Sequence, residues 1–195
     1  VPSSAFTIGA AISTTAITNA TPNPSTFGAP VTFTATVTGP GGTPTGTVQF
    51  KDGAANLGTP VTLVAGVATL ATSALTVASH PITAVYSGDA NYSTSTSSIV
   101  NQVVNLAGSS TALGSSLNPS TFGASVTFTA TVTGPSGTPT GTVQFKDGAA
   151  NLGTPVALVA GVAEVAQRAR SDVAAGYRGL SVAKLTDLRA KAGAS

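Results

Sequence analysis

Residues 24–68 and 119–163 of this 195-residue chain align without a gap at an offset of 95, differing only at Pro30/Ser125, Gly41/Ser136 and Thr62/Ala157. With 42 of 45 positions identical, the chain is a tandem copy of one supersecondary unit. A repeat of this length is too long for one solenoid turn and suits an independent two-layer domain.

Within the unit, period-two alternation predicts strands. Val31, Phe33, Ala35 and Val37 point one way and Thr32, Thr34, Thr36 and Thr38 the other, because successive strand side chains face opposite sides of a sheet. Gly39-Pro40-Gly41-Gly42-Thr43-Pro44 ends that strand. Val48 and Phe50 then face inward, and Asp52-Gly53 marks a turn. Shorter strands are expected around 61–64 and 67–71, split by Ala65-Gly66. Ile82, Ala84 and Tyr86 alternate next; Ile99, Val100, Val103 and Val104 supply a closing strand, and an opening one lies near 15–18. About seven short strands with turn signals between them predict an antiparallel sandwich.

Composition agrees and removes most chemistry. Charged residues make up 7% of the chain, against roughly a quarter in ordinary soluble domains. The 32 Thr and 21 Ser suit exposed strands and turns. With no cysteine and a single histidine, His80, the chain lacks disulfides, thiol chemistry and any site needing two histidines. No nucleophile, base and orienting group form a trio, so no enzyme is expected and no cofactor or metal site is assigned. No stretch approaches the roughly 18 apolar residues of a membrane span, and no signal peptide is expected. Residues 1–163 carry Lys51 and Lys146 against Asp52, Asp89 and Asp147, while the last 32 residues carry six cations against three anions. The basic excess belongs to the tail, so nucleic acid is not an expected partner.

The run NPSTFGAPVTFTATVTG, then GTPTGTVQFKDG, GVATLATSAL and HPITAVYSGDANYSTSTS resembles the bacterial immunoglobulin-like (Big-type) repeats of secreted and cell-surface proteins. The resemblance covers residues 13–105 fully and 109–163 in part. It implies tandem immunoglobulin-like Greek-key β-sandwiches, an extracellular or cell-surface location, and a stalk, spacer or adhesive role without catalytic residues. The implied partners are neighbouring repeats, copies of the chain itself, and surface proteins or glycans. A carbohydrate platform lacks its usual contacts, because aromatics are 5% and tryptophan is absent.

The expected organisation is a terminal strand at 1–12, a complete sandwich at 13–105, an incomplete second repeat at 106–163 and a divergent basic tail at 164–195. In the first segment Phe6, Ile8, Ala10 and Ile12 alternate with Thr7, Gly9 and Ala11. It reads as the last strand of a preceding repeat or as a strand donated to a neighbour's sheet. The tail leaves the repeat at Glu164 and has helical composition, with one helix expected over 163–175 and a second capped at Ser181. Its phrase GLSVAKLTDLRAKA resembles SAP-like nucleic-acid-binding hairpins. Frame-shifted decoding is the other origin: shifted codons for 167–171, 177–181 and 181–186 permit residues like those of 72–75, 83–86 and 87–91, all in register.

Repeat two therefore lacks counterparts of Ile82, Ala84, Tyr86, Ile99 and Val103, each worth roughly 1.5–3 kcal/mol when buried. It is expected to be unfolded, covered by tail helices, or completed by another molecule. Completion by a donated strand is the alternative function, a self-assembling filament subunit.

Individual residues have modest expected roles. Asp89 and Asn91 are expected to cap a turn, since one carboxylate supplies too few ligands for calcium. Tyr86 is expected in the core, Tyr92 as a loop anchor, and His80 as exposed, with no partner for metal or general-base work. Lys51-Asp52 and Lys146-Asp147 are expected to be edge charges that block strand pairing. The GPGGTPTG loop lacks the Lys-Ser/Thr and helix of a phosphate cradle, and Asn19 and Asn91 sit in N-glycosylation patterns.

Overall fold

In the computed structural model, which describes residues 9–169, the predicted Val31–Val37 rank is fully inside: all four apolar residues are 2% exposed or less. The chain divides into two units, Val1–Leu106 and Ala107–Ser195. The first contains β1 (Thr14–Thr21), β2 (Ser25–Thr26), β3 (Val31–Thr38), β4 (Thr47–Asp52), β5 (Ala55–Asn56), β6 (Val61–Thr62), β7 (Val67–Thr72), β8 (Ser79–Tyr86), β9 (Ser95–Thr96) and β10 (Val100–Asn105). One sheet has the order β1-β3-β7 and the other β2-β10-β8-β4-β5, with β6 also on β4 and β9 on β8. The Phe33 and Phe50 rings meet between the layers with centroids 6.3 Å apart. Ile82, Ala84 and Tyr86 are fully buried beside them.

The opening strand changes sheets. Ala11 donates to Asn91 O (2.7 Å) and accepts from Ser93 N (2.8 Å), pairing parallel to Tyr92. β1 then runs antiparallel to β3, and β2 returns to lie parallel to β10. Ala11 is thus bonded within the first unit, whereas Phe6 and Ile8 lie outside the described residues. At Ala65-Gly66 the chain reverses with both residues in the left-handed region (φ 50° and 77°), and Val64 and Val67 exchange hydrogen bonds across the turn.

The closing strand runs in the opposite phase to the one expected. Gln102 and Val104 are buried at 0% and 3%, whereas Ile99 and Val103 are 63% and 38% exposed. The register with β8 fixes the phase, because Gln102 lies opposite His80 and Val100 opposite Ile82, both inward. Inside, Gln102 Nε2 donates to Pro22 O (2.9 Å), Val103 O (3.0 Å) and Ser25 Oγ (3.3 Å), while its Oε1 has no partner among the described residues.

In the second unit lie β11 (Ser110–Ser115), β12 (Ser125–Thr133), β13 (Thr142–Val143), β14 (Lys146–Asp147), β15 (Ala150–Asn151), β16 (Val156–Ala157) and β17 (Val162–Arg168). β11, β12 and β17 form one sheet, while β13-β16 and β14-β15 are two-stranded pairs. Ala130, Val132, Val143, Phe145 and Ala163 form a small buried core, so the described part of this unit is not unfolded.

The helix expected from residue 163 begins instead as strand β17. Its pairing of Val126 with Gln167 repeats that of Val31 with Thr72, and Val165 packs against the core as Leu70 does in the first unit. A ready partner in β12 outweighs the helix preference of Glu, Ala, Gln and Arg. The rest of that helix from residue 170, and the one capped at Ser181, lie outside the described residues. Among the described residues the architecture is all-β, and no helix is long and apolar enough to cross a membrane.

Candidate functional site

The loops 39–46 and 87–94 meet at one end of the first sandwich because β3, β4, β8 and β9 deliver them there. Asp89 ties them together. Its Oδ2 accepts from the amide and hydroxyl of Thr45, both at 2.8 Å, and its Oδ1 accepts from the amides of Asn91 (2.7 Å) and Tyr92 (2.8 Å). The bonds from Thr45, joined by those from Asn91 and Tyr92, hold its carboxyl well below the usual carboxylate range. Asp89 therefore caps a turn, as its position in SGDANY predicts, and its four accepted bonds occupy the oxygens that a cation would need.

Tyr92 completes the clamp. Its hydroxyl donates to Pro40 O at 2.9 Å, and its ring lies so close to Gly39 that a β-carbon there would overlap it. The expected loop anchor is thus also 94% buried, since only 6% of its surface is exposed. Beneath the loops, Tyr86 is fully buried and its hydroxyl has no partner among the described residues. Burial, with the Asp89 charge adding to it, pushes that phenol up to about 12. Outside the clamp is an open depression of about 590 Å³ lined by Ala11, Pro40, Gly42, Thr43, Asn91 and Tyr92 among others. None of these side chains is charged, and nothing there can serve as a nucleophile paired with a base.

The opposite end of β4 carries the feature that sequence reasoning missed. His80 is 8% exposed; its Nδ1 lies 2.6 Å from Asp52 Oδ2 and its Nε2 lies 2.9 Å from Thr76 O. The expectation of an exposed histidine is therefore wrong, and Asp52 and Thr76 hold both ring nitrogens. The signal was present as parity: His80 continues the inward row of Ile82, Ala84 and Tyr86, and Asp52 continues that of Val48 and Phe50. Asp52 is likewise not an edge charge, because β4 has β8 on one side and β5 and β6 on the other. Burial disfavours the charged imidazolium, but the Thr76 carbonyl and the Asp52 carboxylate outweigh it and raise the pKa above 6.5. The second copy keeps the aspartate as Asp147, whereas the position matching His80 is Ala175.

Among the described residues no group of three His, Cys, Asp or Glu side chains could hold a metal. At the two ends of the sandwich Asp89, Tyr92, Asp52 and His80 spend their polar atoms on the fold itself.

The model of the bacterial Ig-like domain (group 3) matches residues 17–105 and again 113–184. No curated protein matches the chain. Among solved structures, the fibronectin(III)-like modules of Clostridium thermocellum CbhA are 20% identical over 80% of this chain and 78% of theirs, with a TM-score of 0.37. A chimeric titin Z1Z2-Z1Z2 tandem functionalised with a GRGDS peptide from fibronectin is 17% identical over 78% of this chain and 85% of its own, with a TM-score of 0.30. With two successive matches to one domain model over most of its length, this chain belongs to the bacterial Ig-like domain family, group 3.

Proposed function

We propose that the chain is a non-catalytic structural module of an extracellular or cell-surface protein, acting as a stalk or spacer that holds other domains away from a surface. One observation carries this reading: the Asp89 carboxylate, the best-placed reactive group at the loop end, accepts four hydrogen bonds from its own loops. Threonine-rich outer faces and tandem duplication fit a body whose work is to occupy length. Neighbouring repeats are its partners, with surface proteins or glycans reached by the domains it carries. Sedimentation and electron microscopy of the purified chain test the proposal. Isolated monomers are expected, and surface labelling of cells producing the parent protein should find it outside.

Filament assembly by strand donation is the competing reading. It is favoured by the split of β13 from β14, which leaves part of a strand outside any ladder among the described residues. Concentration-dependent fibres in the same micrographs would replace the spacer with this second function.

A further inference from the structure

Residues 42–61 and 137–156 are identical in sequence, and each stretch contains one Asp-Gly bond, at Asp52-Gly53 and at Asp147-Gly148. The hairpin turns built on these bonds are the same as well. Lys51 pairs with Asn56 and Asp52 with Ala55, as Lys146 does with Asn151 and Asp147 with Ala150. The two glycines have φ values of 55° and 56°. What differs is the setting of the aspartate. Asp52 is half-buried, with its Oδ2 2.6 Å from His80 Nδ1. Asp147 is exposed, and the one histidine of the chain belongs to the first unit.

We propose that Asp147-Gly148 is a site of spontaneous backbone rearrangement to isoaspartate, and that the His80 imidazole withholds Asp52-Gly53 from the same reaction. An Asp-Gly bond is open to this chemistry because glycine has no β-carbon to hinder approach to its nitrogen. The glycine nitrogen bonds to the aspartate Cγ, and one carboxylate oxygen leaves as water, carrying the amide proton and one proton from solvent. A water molecule then opens the five-membered imide at the former main-chain carbonyl and the solvent proton is returned. The chain now runs through Cγ. At Asp52, Cγ cannot swing onto Gly53 N unless Oδ2 leaves the imidazole. The Gly53 amide is engaged as well, donating to Pro81 O at 3.0 Å. Giving up a hydrogen bond between charged groups slows the reaction by about tenfold or more.

The product has one extra main-chain carbon in the turn between β14 and β15, so the pairing of Asp147 with Ala150 does not survive it. The second unit thus loses this hairpin with age while the first keeps its own. Because the two sites share one sequence, the chain carries its own control: any difference between their rates comes from the fold. The inference does not rest on the spacer reading.

The test incubates the full chain in warm, mildly acidic buffer and maps isoaspartate by mass spectrometry of proteolytic fragments, the two sites being told apart by Thr62 and Ala157. In the folded chain isoaspartate should accumulate at 147 at least about tenfold faster than at 52. In concentrated urea the two rates should be equal. His80→Leu should raise the rate at 52 about tenfold and leave that at 147 unchanged. Val37→Ala separates loss of the ring from loss of the fold, since Val37 is 2% exposed and its truncation destabilises the first unit without touching His80; it should leave Asp52 slow. Equal rates in the folded chain, no isoaspartate at 147, an unchanged rate at 52 in His80→Leu, or an equal rise there in Val37→Ala would each overturn the proposal.

Discussion

Asp52 at the end of β4 and His80 at the start of β8 meet at 2.6 Å, the ion pair found among the described residues. With the Thr76 carbonyl on the other ring nitrogen, both nitrogens face acceptors, an arrangement only the doubly protonated ring satisfies. A histidine whose pKa is raised on folding contributes stability that is fully present below its unfolded value, near 6.5, and is lost as pH rises through the folded value. The melting temperature of the first unit should therefore fall on going from acid to alkaline pH across that window. His80→Gln should flatten the profile. A wild-type profile that is level or rises there contradicts the assignment.

Asp89 has the opposite sign. Its folded pKa is depressed by the bonds from Thr45 and by those from Asn91 and Tyr92. The stability it adds is present above the ordinary carboxylate value and is lost as pH falls through the depressed one. Acid titration followed by tyrosine fluorescence should show Asp89→Asn already weakened at neutral pH and less sensitive to acid than the parent. If the two acid limbs superimpose, the clamp does not hold the loops.

Gly39 is glycine because the Tyr92 ring occupies the space a side chain would need. Gly39→Ala should cost about 1–3 kcal/mol in urea unfolding. In a Tyr92→Ala background most of that cost should disappear, because the overlap is gone. Tyr92→Phe, which removes only the bond to Pro40 O, should cost about 1 kcal/mol. Additive losses for Gly39→Ala and Tyr92→Ala would mean that the two residues do not interact.

Ala65 adopts a φ of 50°, a conformation that costs a side-chain-bearing residue roughly 1–2 kcal/mol. Asparagine tolerates it better. Ala65→Asn should raise the urea midpoint of the first unit with an unchanged slope, a gain of about 0.5–1 kcal/mol. Ala160, also at φ 50°, offers the same substitution in the second unit. A lowered midpoint at Ala65 would show that the turn is held for another reason.

Most of the first sandwich was legible because its core rows are apolar at every second position, as in Val31–Val37 and Ile82–Tyr86. The loop anchors were legible too, since Asp89 and Tyr92 lie in a turn-forming phrase. Polar residues that continue an inward row carry no hydrophobic signal of their own. That is why the sequence points His80 outward and puts Val103 ahead of Gln102 on the inner face of β10. β17 failed for a different reason: its composition favours helix, and the partner that makes it a strand lies some 35 residues away in sequence, as Thr129 and Glu164 illustrate.

The parallel pairs at the two ends of the first unit have a mechanical consequence. Ala11 runs alongside Tyr92, and Ser25–Thr26 alongside Val104–Asn105, so the entering and the leaving segment each have a parallel neighbour inside the sandwich. Tension applied through those segments slides each past its neighbour and loads the hydrogen bonds in shear, which must rupture together instead of peeling one by one. Force along a string of such repeats would thus meet its resistance at these short contacts, well before it reached the packed aromatic centre.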